Sequence, residues 1–399
     1  MRTEYFSSRI KSLVMQGKLE DSQELLKKIE QKVIANPRLI PLKERLQFEK
    51  IITDLQNISN KNKEGLNILY GTMEIAGQLK LYSKTLSNLG MLTRVLNYYP
   101  SYLEYTCDYV YDINSNFDYQ KSRNIDKITE ESIEKFDVFH YMFNSTLKPD
   151  YSDLPLLKEA GKSVFMHNVG SEVRLATMAS KLGWRSQVKY LDEEQLKRNI
   201  SSIAEFVDHC IVLDAELNEY VKSYYNNVSV IPASVDIDDY SPREEFEFKK
   251  RKPVVVHAPT SPIIKGTEYI LKAIEELKDE IDFEFILVKN TSHEKAVKIY
   301  RESDIIIDQL NAGSYGVLSI EGMALGKPVI CYISDFMKEN YPSDLPIYSS
   351  NSENIKESIR YLLKNYDARK ELGEKGRNYV INNHDSKKNA KKLLDLYIH

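Results

Sequence analysis

Short apolar runs alternate with helical stretches, most plainly in DIIIDQLNAGSYGVLSIEGMALGKPVICYI, residues 304–333. A strand, a small polar loop, a helix and a second strand in one run constrain the chain to an α/β domain. The loop contains Gly313, Ser314 and Gly316. Val317, Leu318, Ile320, Met323, Ala324 and Leu325 follow at spacings suited to a mostly buried helix, which Gly326 and Pro328 stop before the strand from Val329 to Ile333. The first N–H groups of such a helix lack partners and its dipole favours negative charge, so the start is suited to an anion. Glu321 lies about one turn further in, where a carboxylate can accept hydrogen bonds from a pair of sugar hydroxyls. A diphosphate with a ribose attached suits the two together. The plainer alternative, a helix between two strands with Glu321 on its wet face, stays open on these residues alone.

The same alternation runs through most of the chain. LNILYGT from Leu66 reads as a strand, with a loop holding Gly71 and Gly77 and then a helix from Leu79 to Leu89. TRVLNYY, DYVYDI, KFDVFHYMF, KSVFMHN, DHCIVLD and VSVIP supply further strands of a first half; PVVVHAP, DFEFILVKN and DIIIDQL belong to a second. Before them, residues 1 to about 62 read as helix, with Ile10, Leu13, Val14, Leu25, Leu26 and Ile29 at three- and four-residue steps and a second set after Pro41. This helical annex is expected to pack on the main body or on a second subunit. A chain of 399 residues fits two or three domains.

Several residues at expected strand ends bear on chemistry. His167 and Arg174 follow the SVFM strand, where side chains face the ligand crevice of a parallel sheet; a structural histidine and a surface arginine are the alternatives. Lys265-Gly266 precedes an amphipathic helix in which Tyr269, Ile270, Ala273, Ile274 and Leu277 share a face. The tyrosines Tyr98, Tyr99, Tyr102, Tyr105, Tyr109 and Tyr111 suit either core packing or stacking on sugars. Asp236 and Asp238 sit between the two halves and read as turn residues rather than metal ligands. Cys107, Cys210 and Cys331 fit neither a zinc site nor a disulfide framework, which points to a reducing compartment. The net charge of −4 gives no electrostatic case for nucleic acid, and Lys249-Lys250-Arg251-Lys252 reads as a solvated linker.

Ser314-Tyr315-Gly316, Glu321-Gly322-Met323-Ala324 and Gly326-Lys327-Pro328-Val329 together resemble the signature of retaining glycosyltransferases of the GT-B fold, family 4 type. The resemblance covers about residues 66 to 399 and is strongest from Val255 to Ile330. It implies two facing Rossmann-like domains: a helical extension at 1–62, an acceptor domain at 63–245, a nucleotide-sugar domain at 246–380, and a closing helix at 381–399 that returns to the first. It also implies that Glu321 holds the nucleotide ribose, that the amides of Ser314, Tyr315, Gly316, Val317 and Leu318 hold the diphosphate, and that Lys265 neutralises the leaving group. Gly71 and Arg174 join the donor-binding set, and His167 matches the family's histidine near the reacting carbon. Two positions depart from the pattern. Gly313 stands where a glutamate usually meets the donor sugar, and Thr260 where an arginine usually meets phosphate. IPASVDIDDYSP, residues 231–242, resembles the Pro-Asn-Gly-Val-Asp segment before the linker, with Ala233 and Ser234 in place of Asn-Gly.

The implied reaction moves a sugar from a nucleotide-sugar to a glycan, lipid-linked or protein acceptor, with retention and without metal or cofactor. His167, Lys265 and Glu321 are the expected catalytic residues. An inverting course needs a base such as His167 or Glu172. A non-catalytic GT-B-like nucleotide-sugar-binding or regulatory subunit also fits the two departures. A glycosidase using Glu321 and Glu172 fits less well, because nothing in the sequence sets their separation. The N-terminus lacks a signal-peptide core and no run spans a bilayer, so a cytoplasmic protein is expected. A homo-oligomer or a peripheral membrane contact stays open.

Overall fold

A computed structural model describes residues 2–35, 40–59, 65–114, 117–181, 188–242 and 252–398. Lys249, Lys250 and Arg251 of the basic run lie outside them. The annex is three helices, α1 (Arg2–Met15), α2 (Leu19–Ala35) and α3 (Ile40–Asn57). Ile10, Val14, Leu26, Ile29 and Leu46 give it a small core of its own. The inner helix α3 ties it to the main body: Arg94 Nε donates to Asp54 at 2.6 Å, and the buried Lys50 ammonium donates to the Asp108 carbonyl at 2.5 Å and to Gln23 at 2.7 Å. Burial holds the Lys50 pKa down to about 8 against the pull of Asp108 and Asp54.

The first sheet uses β1 (Asn67–Gly71), α4 (Gln78–Ser87), β2 (Leu92–Asn97), β3 (Tyr109–Val110), α5 (Tyr119–Lys135), β4 (Val138–Met142) and α6 (Asp153–Glu159). It continues through β5 (Ser163–Asn168), α7 (Ala176–Lys181), α8 (Glu193–Ala204), β6 (His209–Val212), α9 (Ala215–Val221) and β7 (Val228–Val230). All seven strands are parallel, in the order β3-β2-β1-β4-β5-β6-β7. Every residue of β1 and β4 is buried, as expected of central strands covered on both faces. The edge strand β3 lies beside α3, so the annex shields an edge that would otherwise offer unpaired backbone groups.

The second sheet is built from β8 (Val254–His257), α10 (Pro262–Lys265), α11 (Thr267–Lys278), β9 (Glu284–Leu287), α12 (His293–Glu302), β10 (Ile305–Ile307) and α13 (Val317–Ala324). β11 (Val329–Cys331), α14 (Asp335–Asn340), β12 (Tyr348–Ser349), α15 (Ile355–Lys364), α16 (Tyr366–Asn383) and α17 (Ser386–Ile398) complete it. Its five parallel strands run β12-β11-β10-β8-β9. Strand order reverses between β1 and β4 in the first sheet and between β8 and β10 in the second. At such switch points the loops splay apart and leave a crevice beyond the carboxyl ends.

The last helix leaves the second sheet and covers the first. Ala390, Leu393 and Tyr397 share a core with Tyr70, Leu79 and Tyr82, and Tyr397 Oη meets His140 Nδ1 at 2.6 Å. Val235 and Asp385 form a parallel bridge at the crossover. On the opposite side, the His293 N–H donates to the Leu103 carbonyl at 3.0 Å, a contact from the first residue of α12 to the segment after β2. No helix among the described residues is long and apolar enough to cross a membrane.

Candidate functional site

The loop after β10 turns Asp308, which is fully buried, toward the start of α13. Its carboxylate accepts the Gly316 N–H at 2.9 Å, the Ser319 hydroxyl at 2.7 Å and the Lys265 ammonium at 2.5 Å. Burial pushes the Asp308 carboxyl up, but the Lys265 charge and these hydrogen bonds outweigh it and hold the group below its ordinary value. Lys265 also donates to Gln309 at 2.9 Å. A Cβ on Gly316 would lie 3.2 Å from Lys265 Nζ and 3.1 Å from Asp308. A side chain there would press on the pair directly behind the helix start, which would have to give by a few tenths of an ångström. The next two amides, of Val317 and Leu318, donate to no acceptor among the described residues. They are the free donors that an anion there would use.

Gly316 and Val317 open onto a cleft of about 440 Å³ between the two sheets. Ser314, Tyr315 and Ile320 line it from the second sheet, and Arg174, Asp214 and Ala233 from the first and its exit. Arg174 is held bidentately by Glu216, with 2.8 and 2.7 Å contacts. This lifts the guanidinium pKa further even though burial opposes it. Glu216 in turn lies 3.4 Å from the Ser314 hydroxyl, so one buried carboxylate links the two halves of the cleft. Tyr315 turns its hydroxyl to His384 at 2.9 Å, and His384 Nδ1 reaches the Ala233 carbonyl at 2.6 Å. That chain fixes the loop against the crossover into α17.

Glu321, one turn further along α13, is not part of this cleft's lining and lies in a separate polar cluster. Its Oε1 accepts the Tyr240 hydroxyl at 2.8 Å and meets His293 Nε2 at 2.5 Å. Burial opposes charging His293, but the hydrogen bond and charge of Glu321 outweigh it and raise the ring above its ordinary pKa. The Tyr105 ring covers His293 at 5.0 Å between centroids. Neither Tyr240 nor His293 was singled out from the sequence. His293 follows the carboxyl end of β9, so the strand-end rule that picked out His167 would have found it; Tyr240 sits in a segment read only as a linker.

Residues 268–395 match a family model described as glycosyl transferase-like. No curated protein matches the chain. Among solved structures, a glycosyltransferase from Rickettsia africae superposes with a TM-score of 0.60 at 17% identity, covering 84% of this chain and 98% of that one. Sucrose-phosphate synthase from Thermosynechococcus elongatus gives 0.57 at 14% identity, covering 83% and 98%. HepE from Anabaena, in complex with UDP and glucose, gives 0.54 at 11% identity, covering 83% and 99%. The fold is GT-B.

Within the GT-B frame the remaining expected residues take up different positions. His167 does not face the crevice. It is fully buried on the strand face covered by α4 and α17, its ring stacked on Tyr82 at 6.2 Å and edge-on to His140 at 5.4 Å. Neither ring nitrogen has a hydrogen-bond partner, and burial depresses its pKa to about 3. Side chains alternate along a strand, and this one alternates inward. Gly71 ends β1 against Leu96 and lies outside the cleft lining; Thr260 is exposed on the loop after β8 and also lies outside it. Gly313 has φ 76°, and a Cβ there would lie 3.1 Å from that of Ser334. A glutamate at that position would be strained by the backbone conformation and would crowd Ser334. Asp236 and Asp238 pair with Lys84 and Lys387, at 3.0 and 2.9 Å.

Proposed function

We propose that this GT-B chain transfers a sugar from a nucleoside diphosphate sugar, with the diphosphate at the start of α13. The observation that carries the reading is the pair of unpartnered Val317 and Leu318 amides at a helix start backed by Lys265 and facing Arg174 across an interdomain cleft. Both cations already have a carboxylate partner, so they are held in place and the free amides supply the unneutralised positive end. HepE, of the same fold, is described in complex with UDP and with UDP-glucose, which favours a UDP-sugar here. Glu321 would meet the ribose once Tyr105 withdraws from His293.

The reaction breaks the anomeric C–O bond to the diphosphate and forms one to the acceptor oxygen. Its largest protein contribution is stabilisation of charge on the departing phosphate, for which Lys265 and the α13 amides suffice without a metal. Retention is favoured by the state of the two candidate bases. Neither His167 nor Glu172 lines the donor cleft; both are buried, which depresses the His167 pKa to about 3 and raises the Glu172 carboxyl above its ordinary value. The departing phosphate oxygen then takes the acceptor proton on the same face.

Calorimetric titration with UDP, GDP, ADP and CMP tests the donor site. One nucleotide should bind, and Lys265→Ala should weaken it by roughly tenfold or more, as for a lost charge-assisted hydrogen bond. Binding of none, or binding indifferent to Lys265→Ala and Glu321→Ala, would remove the assignment. The Gly313 position favours a second reading, a nucleotide-sugar-binding subunit without turnover. It would show nucleotide binding but no sugar release to any acceptor.

A further inference from the structure

The cleft of about 440 Å³ between the sheets has to hold more than a diphosphate. With the diphosphate at the start of α13, the sugar attached to it occupies the rest of the same space, and the remaining side chains in the wall decide how it is held. Sugar hydroxyls are bound most firmly by charged acceptors.

Among the described residues the second sheet brings no carboxylate into that wall. Asp308 is turned to Lys265 and Gly316 behind the helix start, and Glu321 lies in the cluster with Tyr240 and His293. Gly313 has no side chain to offer. The single carboxylate among the described lining residues is Asp214, and it comes from the first sheet. Strand β6 ends at Val212, and Asp214 follows at its carboxyl end as the cap of α9. Side chains at such strand ends face the ligand crevice of a parallel sheet.

Capping uses one edge of this group. Asp214 Oδ1 accepts the Leu217 N–H at 3.0 Å, and no side chain among the described residues donates to the carboxylate. The nearest cation does not serve it. Arg174 is committed to Glu216 at 2.8 and 2.7 Å. Asp214 is only 8% exposed, yet it borders a cavity. Burial and the neighbouring Glu216 raise its pKa to about 6 against the pull of Arg174, which leaves it largely ionised at neutral pH. An ionised carboxylate offers about four acceptor sites, and a buried one lacking donors is costly.

Its surroundings set what can supply those donors. Glu216, two residues on, lies 3.4 Å from the Ser314 hydroxyl, so Asp214 stands close to the loop that leads into Gly316 and Val317. The charge of Asp214 acts on Tyr315 and Tyr341, which also line the cleft and whose rings lie 4.6 Å apart. A carboxylate beside aromatic rings suits a sugar, which has hydroxyl edges and apolar C–H faces. A phosphate placed against Asp214 would be repelled, which fixes the direction in which a donor lies.

We propose that Asp214 accepts hydrogen bonds from hydroxyls of the donor sugar and so sets which sugar the cleft binds. The proposal rests on the nucleotide-sugar reading of the cleft.

The test is calorimetry of the full chain with UDP, UDP-glucose, UDP-galactose and UDP-N-acetylglucosamine, repeated with Asp214→Asn and Asp214→Ser. Both replacements keep a good helix cap, so the variants should unfold close to the native temperature, and the second guards against failure of the first to fold. The sugar nucleotide that binds best should lose about tenfold in affinity in both variants, while UDP changes by no more than about twofold. A residue that only caps α9 would move the two ligands together. Equal effects on UDP and the sugar nucleotide, no effect on either, or UDP bound with no sugar nucleotide bound would each overturn the proposal while leaving the nucleotide site in place. Failure of UDP and all three sugar nucleotides to bind would remove the UDP-sugar reading and this proposal with it.

Discussion

Asp308 shows how one buried carboxylate can be worth more than its charge. It caps α13, fixes Ser319 and holds Lys265, so Asp308→Ala removes three contacts and leaves a lysine in a largely buried place without its partner. A loss of about 3 kcal/mol is expected in denaturant unfolding. Gly170 matters for a different reason. A Cβ there would fall 2.7 Å from Arg174 Nη1, and that guanidinium is pinned to Glu216 and cannot swing clear. Gly170→Ala should therefore weaken UDP binding as Arg174→Ala does, read by calorimetry. The buried histidines set the acid limit. His167, held near 3, and His384, held near 4, stay neutral when folded, whereas in the unfolded chain they gain a proton as pH falls below 6.5. Their stability contribution is complete above 6.5 and is lost on the way down. Glu74, raised to about 8 by burial, and Asp214, raised to about 6, work the other way until their ordinary carboxylate values are passed. The steep loss is thus expected below about pH 4.5. His167→Phe should flatten it by up to about 1.4 kcal/mol per pH unit, measured by urea unfolding across pH.

At the scale of elements, the segment between β2 and β3 is the one that crosses between halves. Leu103 accepts the backbone of α12's first residue, and Tyr105 covers His293 in front of Glu321. The two non-glycine residues in left-handed backbone at this contact, Glu104 and Asn290, show that both loops are bent to meet. A ribose approaching Glu321 has to displace the tyrosine. Tyr105→Ala should therefore bind UDP several-fold more tightly than the native chain, and weaker binding would instead make Tyr105 part of the nucleoside site. The helix α17 serves the opposite purpose, closure of a core. Its Tyr397 hydroxyl bonds His140, so Tyr397→Phe should cost about 1 kcal/mol, and Tyr397→Ala about 3–5 kcal/mol in thermal unfolding.

For the whole molecule, two parallel sheets present their switch points to one another, and the loops beyond them make the cleft. Only their apposition places the start of α13 opposite Arg174 and Asp214.

The architecture was legible in the sequence because hydrophobic periodicity is local. DIIID, the α13 apolar set and the Gly326 and Pro328 stop specify strand, helix and strand from a few neighbours each, and the free amides of α13 follow from helix geometry alone. The facing of single side chains was not legible. His167 and His293 both lie at or just beyond a strand end, yet one is buried against Tyr82 and the other reaches Glu321. The alternation of a strand is fixed, but which of its two faces receives a helix depends on where α4 and α17 come to rest. Tyr99 was likewise one tyrosine among six until the fold buried Tyr98, Tyr109 and Tyr111 and left it half-buried. Sequence determined the elements, since backbone hydrogen bonding and burial period act over a few residues. Tertiary structure decided the sites, since partners such as Tyr240 and Glu321 lie far apart along the chain and meet only when both sheets have packed.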